Sequence, residues 1–148
     1  MYVDITFGPF PRPSPVFGKI PTASGATARV RTCRPETVVG QKVQALRHLG
    51  MLNWRPKDLN DLRLLLGRVP MDDAELRESI AAYMADLGDT RADARATFHP
   101  SSWWGMKRSS ARWQDFVRSS PGQDIPRDLG DDVAQVAGRL APVLEGLP

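Results

Sequence analysis

The chain has 148 residues, 41% hydrophobic and 25% charged, a globular composition that excludes a disordered chain. Its formal charge of +3 and pI of about 9.4 are a mild basic bias, short of a polybasic tail, that permits a phosphate-bearing partner. A lone cysteine, Cys33, excludes an intrachain disulfide framework and fits a reducing cytoplasm, and no apolar run reaches the length of a membrane span.

Residues 2–8, "YVDITFG", alternate Tyr2, Asp4 and Thr6 with Val3, Ile5 and Phe7. That period of two predicts a strand with Asp4 on its polar side, ended by Gly8-Pro9. Five prolines (Pro9, Pro11, Pro13, Pro15 and Pro21), followed by "TASGAT", mark residues 9–27 as an extended surface loop. "ARVRTCR", 28–34, is a second short strand, with Val30 between Arg29 and Arg31.

Pro35 and Glu36 suit the first turn of a helix that runs to about His48 and is closed by Gly50. A second helix starts near Pro56 or Lys57 and ends at Gly67. A third, capped by Asp72 or Asp73, runs to about Leu87 and is closed by Gly88. Residues 89–109 are less regular and include Trp103-Trp104. "SARWQDFVRS" is a helix with Trp113, Phe116 and Val117 on one face. The last helix, about 128–146, spaces Leu129, Val133, Val136, Leu140 and Val143 by threes and fours, and Pro142 is expected to bend or shorten it. Trp103, Trp104, Trp113 and Phe116 are candidates for stacking on nucleobases, but aromatics at helical spacing favour the core.

The charges inside the first two helices pose the functional question. Lys42 shares a face with Val38, Ala45 and Leu46, so it either snorkels outward along its stem or points into a pocket. Asp58 and Asp61, three residues apart, place both carboxylates on one side of the second helix, beside a stripe of Leu59, Leu62 and Leu66. Lys57 and Asp61, four apart, can form a surface pair, and Asp58 complements the helix dipole. Spacing alone favours solvated charges here. It also permits a cluster of lysine, carboxylates and helix end, which phosphoryl and nucleotidyl transfer require. His48 and His99 have no partners at metal-ligand spacing, and Cys33 has no neighbouring histidine to activate it.

"PETVVGQKVQALRHLGMLNWRPKDLNDLRLLL", residues 35–66, resembles the AbiEii-type nucleotidyltransferase toxins of the DNA polymerase β-like superfamily, many of which are paired with an antitoxin. Members carry a helix reading roughly Pro-Glu-x-x-x-Ala-Glu-Lys and, further along, Arg-x-(Lys/Arg)-Asp-(aromatic/Leu)-x-Asp-Leu. Glu36, Lys42, Arg55, Lys57, Asp58, Asp61 and Leu62 fall on that pattern, and "VDITFG" looks like the family strand with a central aspartate.

The resemblance implies nucleotide transfer from an NTP to an RNA acceptor, often the 3′ end of tRNA, with Mg²⁺. Lys42 would neutralise the triphosphate with help from Lys57 and Arg55. Asp58 or Asp61 would be catalytic, the other structural, and Asp4 would lie beside the metal. Two features depart from the pattern. Gly40 and Gln41 stand where the family has alanine and glutamate, and neither a Gly-Gly/Ser turn nor an Asp-x-Asp strand precedes Asp4. The chain is therefore expected to be the C-terminal part of such an enzyme, a truncated or split product or a retained remnant, transferring little by itself. The alternative is a non-catalytic helical module that docks an antitoxin, an upstream half-chain or RNA.

The expected fold is α+β in one domain over 1–148. A small sheet remnant, about 2–8 and 28–33, would be packed by about five α-helices. Residues 1–34 would hold the strands and proline-rich loop, 35–66 the motif helices and 72–148 a helical region. Unpaired strand edges would favour oligomerisation.

Overall fold

A computed structural model describes residues 10–99 and 102–145. The strand expected over 2–8, and Asp4 with it, lies outside the described residues. What is described is α+β and mostly helical: a two-stranded antiparallel sheet followed by six α-helices and a 3₁₀ turn. The strands are β1 (Val16–Pro21) and β2 (Thr27–Thr32), paired from Val16↔Thr32 to Pro21↔Thr27.

β2 is the second expected strand. β1 corrects the expectation that residues 9–27 form only a loop. Between Pro15 and Pro21 the chain carries Val16, Phe17 and Ile20, which suit a strand, and Pro21 ends that strand where few ladder bonds are at stake. "TASGAT" is the hairpin turn. Gly25 N donates to Thr22 O at 2.9 Å, and Gly25 takes a φ of 80° that a side chain would disfavour.

Helix α1 (Pro35–Asn53) has Pro35 in its first turn and is broken at Gly50, whose φ of 53° and ψ of −164° are not helical. The expected stop at Gly50 is thus real, and the chain makes one more short turn before Trp54. Helix α2 (Pro56–Arg68) also opens on proline. Helix α3 (Asp73–Ala85) is capped by Asp72, whose carboxylate accepts from Ala74 N and Glu75 N, both at 2.9 Å. It ends two residues before the expected Leu87, and Gly88 follows with a φ of 72°.

The irregular stretch resolves into α4 (Arg91–Thr97), with a Thr90/Asp93 capping box, and a 3₁₀ turn at Trp103–Gly105. Helices α5 (Lys107–Ser119) and α6 (Leu129–Glu145) complete the fold. Pro142 does not shorten α6. The helix continues past it to Glu145, and the burial of Val143 and Leu144 holds the last turn against the one bond to Gly138 that the proline removes.

One apolar stripe from each long helix meets in the centre: Val39, Val43 and Leu46; Leu59, Leu62 and Leu66; Leu76 and Ile80; Val133, Val136 and Leu140. Trp104 and Trp113 are buried, the structural role their spacing favours over base stacking. Trp54 is buried too and lies at the middle of the aromatic cluster, with ring centroids 5.4 Å from Trp103, 5.1 Å from Trp104 and 6.5 Å from Trp113.

Helices α1 and α3 approach closely at Gly40. A methyl group there would stand 2.8 Å from Tyr83 Cδ2 and 3.1 Å from the Ser79 carbonyl carbon. Beside it, Gln41 Nε2 donates to Tyr83 Oη at 3.1 Å and Gln44 Nε2 to Tyr83 O at 2.7 Å. The two departures from the family pattern, Gly40 and Gln41, therefore sit on one helix crossing. The hairpin is tied down at the same end of α1: Arg34 Nη1 donates to Glu75 Oε2 at 2.5 Å, and Thr37 Oγ1 to Pro13 O at 3.1 Å.

Candidate functional site

The break at Gly50 and the turn at Trp54 fold α2 back against α1, bringing the α2 N-terminus to the third turn of α1. Lys42 points across that gap. Its ammonium donates to Asp58 Oδ1 at 2.7 Å and lies 2.9 Å from Asp61 Oδ2. The lysine side chain is only 18% exposed: it reaches across to the α2 carboxylates and does not snorkel outward. Asp61 Oδ2 also accepts from Lys57 Nζ at 2.7 Å, the expected pair four residues apart. Arg55 Nε stands 3.6 Å from Asp58 Oδ2. Lys57 and Arg55 are largely exposed and present their charge to solvent.

Five of the sequence-predicted residues, Lys42, Arg55, Lys57, Asp58 and Asp61, thus converge; the sixth, Asp4, is outside the described residues. Three cations face two carboxylates, so the cluster keeps one positive charge. Burial works against the Lys42 ammonium, but hydrogen bonds and charge from Asp58 and Asp61 outweigh it and raise its pKa above the usual 10.5. Burial likewise works against the Asp61 carboxylate, and Lys57 and Lys42 outweigh it, holding its pKa below the usual 3.8. An ammonium has three N–H donors. Two are committed to the aspartates, which leaves one on a fixed, permanently charged group for an anionic oxygen.

The same geometry does not suit a divalent cation. Both Asp58 oxygens face cations, and Asp61 Oδ2 is shared by two lysines. Among the described residues no three His, Cys, Asp or Glu side chains come together to hold a metal. Asp58 and Asp61 are placed to orient Lys42, and Mg²⁺ would need other donors.

Two neighbouring residues carry no sequence signal for what they do. Arg112 on α5 donates to Leu52 O at 2.9 Å and to Trp54 O at 2.8 Å, locking the α1–α2 connection that sets Lys42 against Asp58. An open groove continues from Arg55 and Lys57 between Trp54, Pro56, Arg112 and Phe116. Arg63, two residues beyond Asp61 and so turned to the other side of α2, is buried against Asp132 of α6, with Nε 2.8 Å from Oδ1. The apposition is close, yet the N–H is not directed at the carboxylate, and both Asp132 oxygens lack hydrogen bonds. Only the i+4 and i+3 spacings along α5 and α6 were readable; partners 58 and 69 residues away in sequence are not. A separate cavity of about 340 Å³, walled by Phe98, Trp104, Leu129 and Val133, has no cation in its lining and is unsuited to a triphosphate.

No helix among the described residues is long and apolar enough to cross a membrane. No curated protein matches the sequence, and no solved structure does. The model of one family does match, that of the nucleotidyl transferase AbiEii toxin of type IV toxin–antitoxin systems, over residues 1–137. That span takes in the hairpin, the Lys42 cluster and the start of α6. The chain belongs to the AbiEii nucleotidyl transferase toxin family.

Proposed function

We propose that this chain binds the triphosphate of an NTP at Lys42 and serves nucleotide transfer to an RNA acceptor, of which a tRNA 3′ end is the first to test. The observation that carries the reading is the Lys42 ammonium held at 2.7 and 2.9 Å by Asp58 and Asp61 with one donor to spare. Lys42 donates to a phosphate oxygen and neutralises the charge that grows on the departing pyrophosphate. Lys57 and Arg55 attract the triphosphate from the open side. Asp58 and Asp61 act through Lys42, as positioning residues. Transfer itself needs metal-holding carboxylates, and because Asp58 and Asp61 are taken up by cations, these have to come from outside the cluster. NTP and RNA place this work in the cytoplasm, and the toxin family makes an antitoxin the expected partner.

Calorimetric titration of NTP with MgCl₂ tests the reading, with and without a peptide carrying an Asp-x-Asp strand. NTP binding that Lys42→Ala weakens at least tenfold is expected, with transfer of labelled nucleotide only in the supplemented sample. Unchanged binding in Lys42→Ala refutes the site. Robust transfer without the peptide refutes the need for added carboxylates.

A second reading, a non-catalytic module that docks an antitoxin, a half-chain or RNA, draws on the way both carboxylates are taken up by cations. It requires that NTP not bind, and the same titration separates the two.

A further inference from the structure

The charge of this protein is unevenly distributed. From Phe10 to Arg34 the sequence holds five cations, Arg12, Lys19, Arg29, Arg31 and Arg34, and no acid. The chain as a whole has 20 Lys and Arg against 17 Asp and Glu, so everything outside this segment is slightly acidic. The basic excess is therefore a property of the hairpin.

The β1–β2 register sorts that excess onto one face. Phe17 pairs with Arg31 and Lys19 with Arg29, and because side chains alternate, these four point the same way. Val16, Ile20, Ala28 and Val30 point the other way. On the basic face Phe17 is 62% exposed, and the Arg29 guanidinium lies 4.2 Å from its ring centroid. Lys19, Arg29 and Arg31 are exposed, and none is paired with a carboxylate among the described residues.

We propose that this face is a binding surface for single-stranded RNA, the strand that delivers the acceptor end to the Lys42 site. A flat aromatic and guanidinium platform between unpaired cations fits a chain of stacking bases joined by phosphates. Residues two apart on a strand stand roughly 6.6 Å apart, a spacing that offers each cation its own phosphate. An anionic membrane or an acidic peptide satisfies the charge but brings no row of flat rings to stack on the outer face of the Arg29 guanidinium. The hairpin joins α1 at Pro35, and Lys42 is seven residues further on, about 10 Å of helix axis. The face that grips the strand and the site for its end are thus about two helical turns apart along α1. This assignment rests on the RNA-acceptor reading of that site and adds where the acceptor is gripped.

The test is fluorescence anisotropy of a labelled single-stranded RNA oligonucleotide with the full chain, across a salt series. Phe17→Ala should weaken binding about tenfold at fixed salt, the loss of one stacked base. Arg29→Gln with Arg31→Gln should flatten the slope of log K against log salt by about 1.4, the signature of two lost phosphate contacts. Both changes sit on an exposed face, and circular dichroism of the helices verifies the fold. Wild-type affinity in both variants overturns the proposal. So does competition by polyglutamate as effective as that by unlabelled RNA, which would make the face a charge patch alone, or binding to phosphatidylserine vesicles without binding to RNA. Lys42→Ala keeps the two readings apart: it should weaken NTP binding at least tenfold and leave the RNA affinity unchanged. Loss of RNA binding in Lys42→Ala with none in Phe17→Ala also overturns the proposal.

Discussion

At the scale of single residues, Lys42 has two duties that different substitutions separate. It neutralises Asp58 and Asp61, which would otherwise repel each other at the start of α2, and in the proposed function it offers a donor to an anion. Lys42→Met keeps the apolar stem and removes both functions. The pair is buried enough that losing its cation costs more than a surface ion pair, about 1–2 kcal/mol, while staying short of a fully buried charge. Urea unfolding should show that loss together with the loss of NTP binding. Adding Asp58→Asn and Asp61→Asn to Lys42→Met should recover most of the stability and none of the binding. If the triple variant binds NTP as the wild type does, Lys42 is a structural ion-pair partner only. The raised Lys42 pKa has a definite sign: its share of stability is present below pH 10.5 and is lost as pH rises through the folded value. For Asp61 the share is present above pH 3.8 and lost as pH falls through its lowered value. Across neutral pH neither group changes charge, so NTP binding at this site should be flat with pH apart from titration of the nucleotide itself. A calorimetric series between pH 6.5 and 8.5, run as a check at roughly constant ionic strength, reads this directly.

At the scale of elements, the crossing of α1 over α3 makes a prediction opposite to helix propensity. Gly40→Ala in an isolated helix gains about 1 kcal/mol. Here the added methyl meets the buried Ser79 hydroxyl and, at 2.8 Å, the ring of Tyr83. Overpacking of this kind costs about 1–3 kcal/mol, so the variant should be less stable by about 1–2 kcal/mol, read as a lower Tm. Moving Tyr83 also strains the bonds it receives from Gln41 and Gln44. A Tm equal to or above the wild type would show that α3 can shift freely. Element boundaries were largely legible because prolines, glycines and caps act locally: Pro35, Gly50, Asp72 and Gly88 all stand where the sequence places them. β1 was hidden because Pro15 and Pro21 bracket it and the five residues between them are too few to show an alternation. The candidate site was half legible for the same reason. Asp58, Asp61 and Lys57 share a helix and their spacing displays the pairing, whereas Lys42 meets them only after Gly50 and Trp54 turn the chain back, a non-local event that no periodicity encodes.

At the scale of the whole molecule, α2 and α6 are joined through Arg63 and Asp132, and this junction makes stability depend on pH in a narrow window. Asp132 is fully buried, and burial pushes its carboxyl from the usual 3.8 up to about 6, the Arg63 charge opposing this only in part. Arg63 is also held elsewhere: its guanidinium donates to Asn60 Oδ1 at 3.0 Å and to Asp124 O. Because the folded carboxyl binds its proton more tightly than the unfolded one, stability falls as pH rises from about 4 to 6. Below that window both states are protonated and above it both are ionised, so the loss then stays constant. Two pKa units correspond to a loss on the order of 3 kcal/mol. Asp132→Asn removes the titration while keeping the shape, and Arg63 retains its two oxygen acceptors. The difference in unfolding free energy between wild type and Asp132→Asn should therefore shift in favour of the variant from pH 4 to pH 7, with the midpoint of the change between 4 and 6. Urea titrations at half-unit pH steps measure it, and the other carboxylates cancel in the difference. Parallel curves for the two proteins would mean that Arg63 keeps Asp132 ionised throughout. The junction would then act as a permanent ion pair, and Asp132→Asn would be destabilised equally at every pH, so the two cases are distinguished by slope and not by offset.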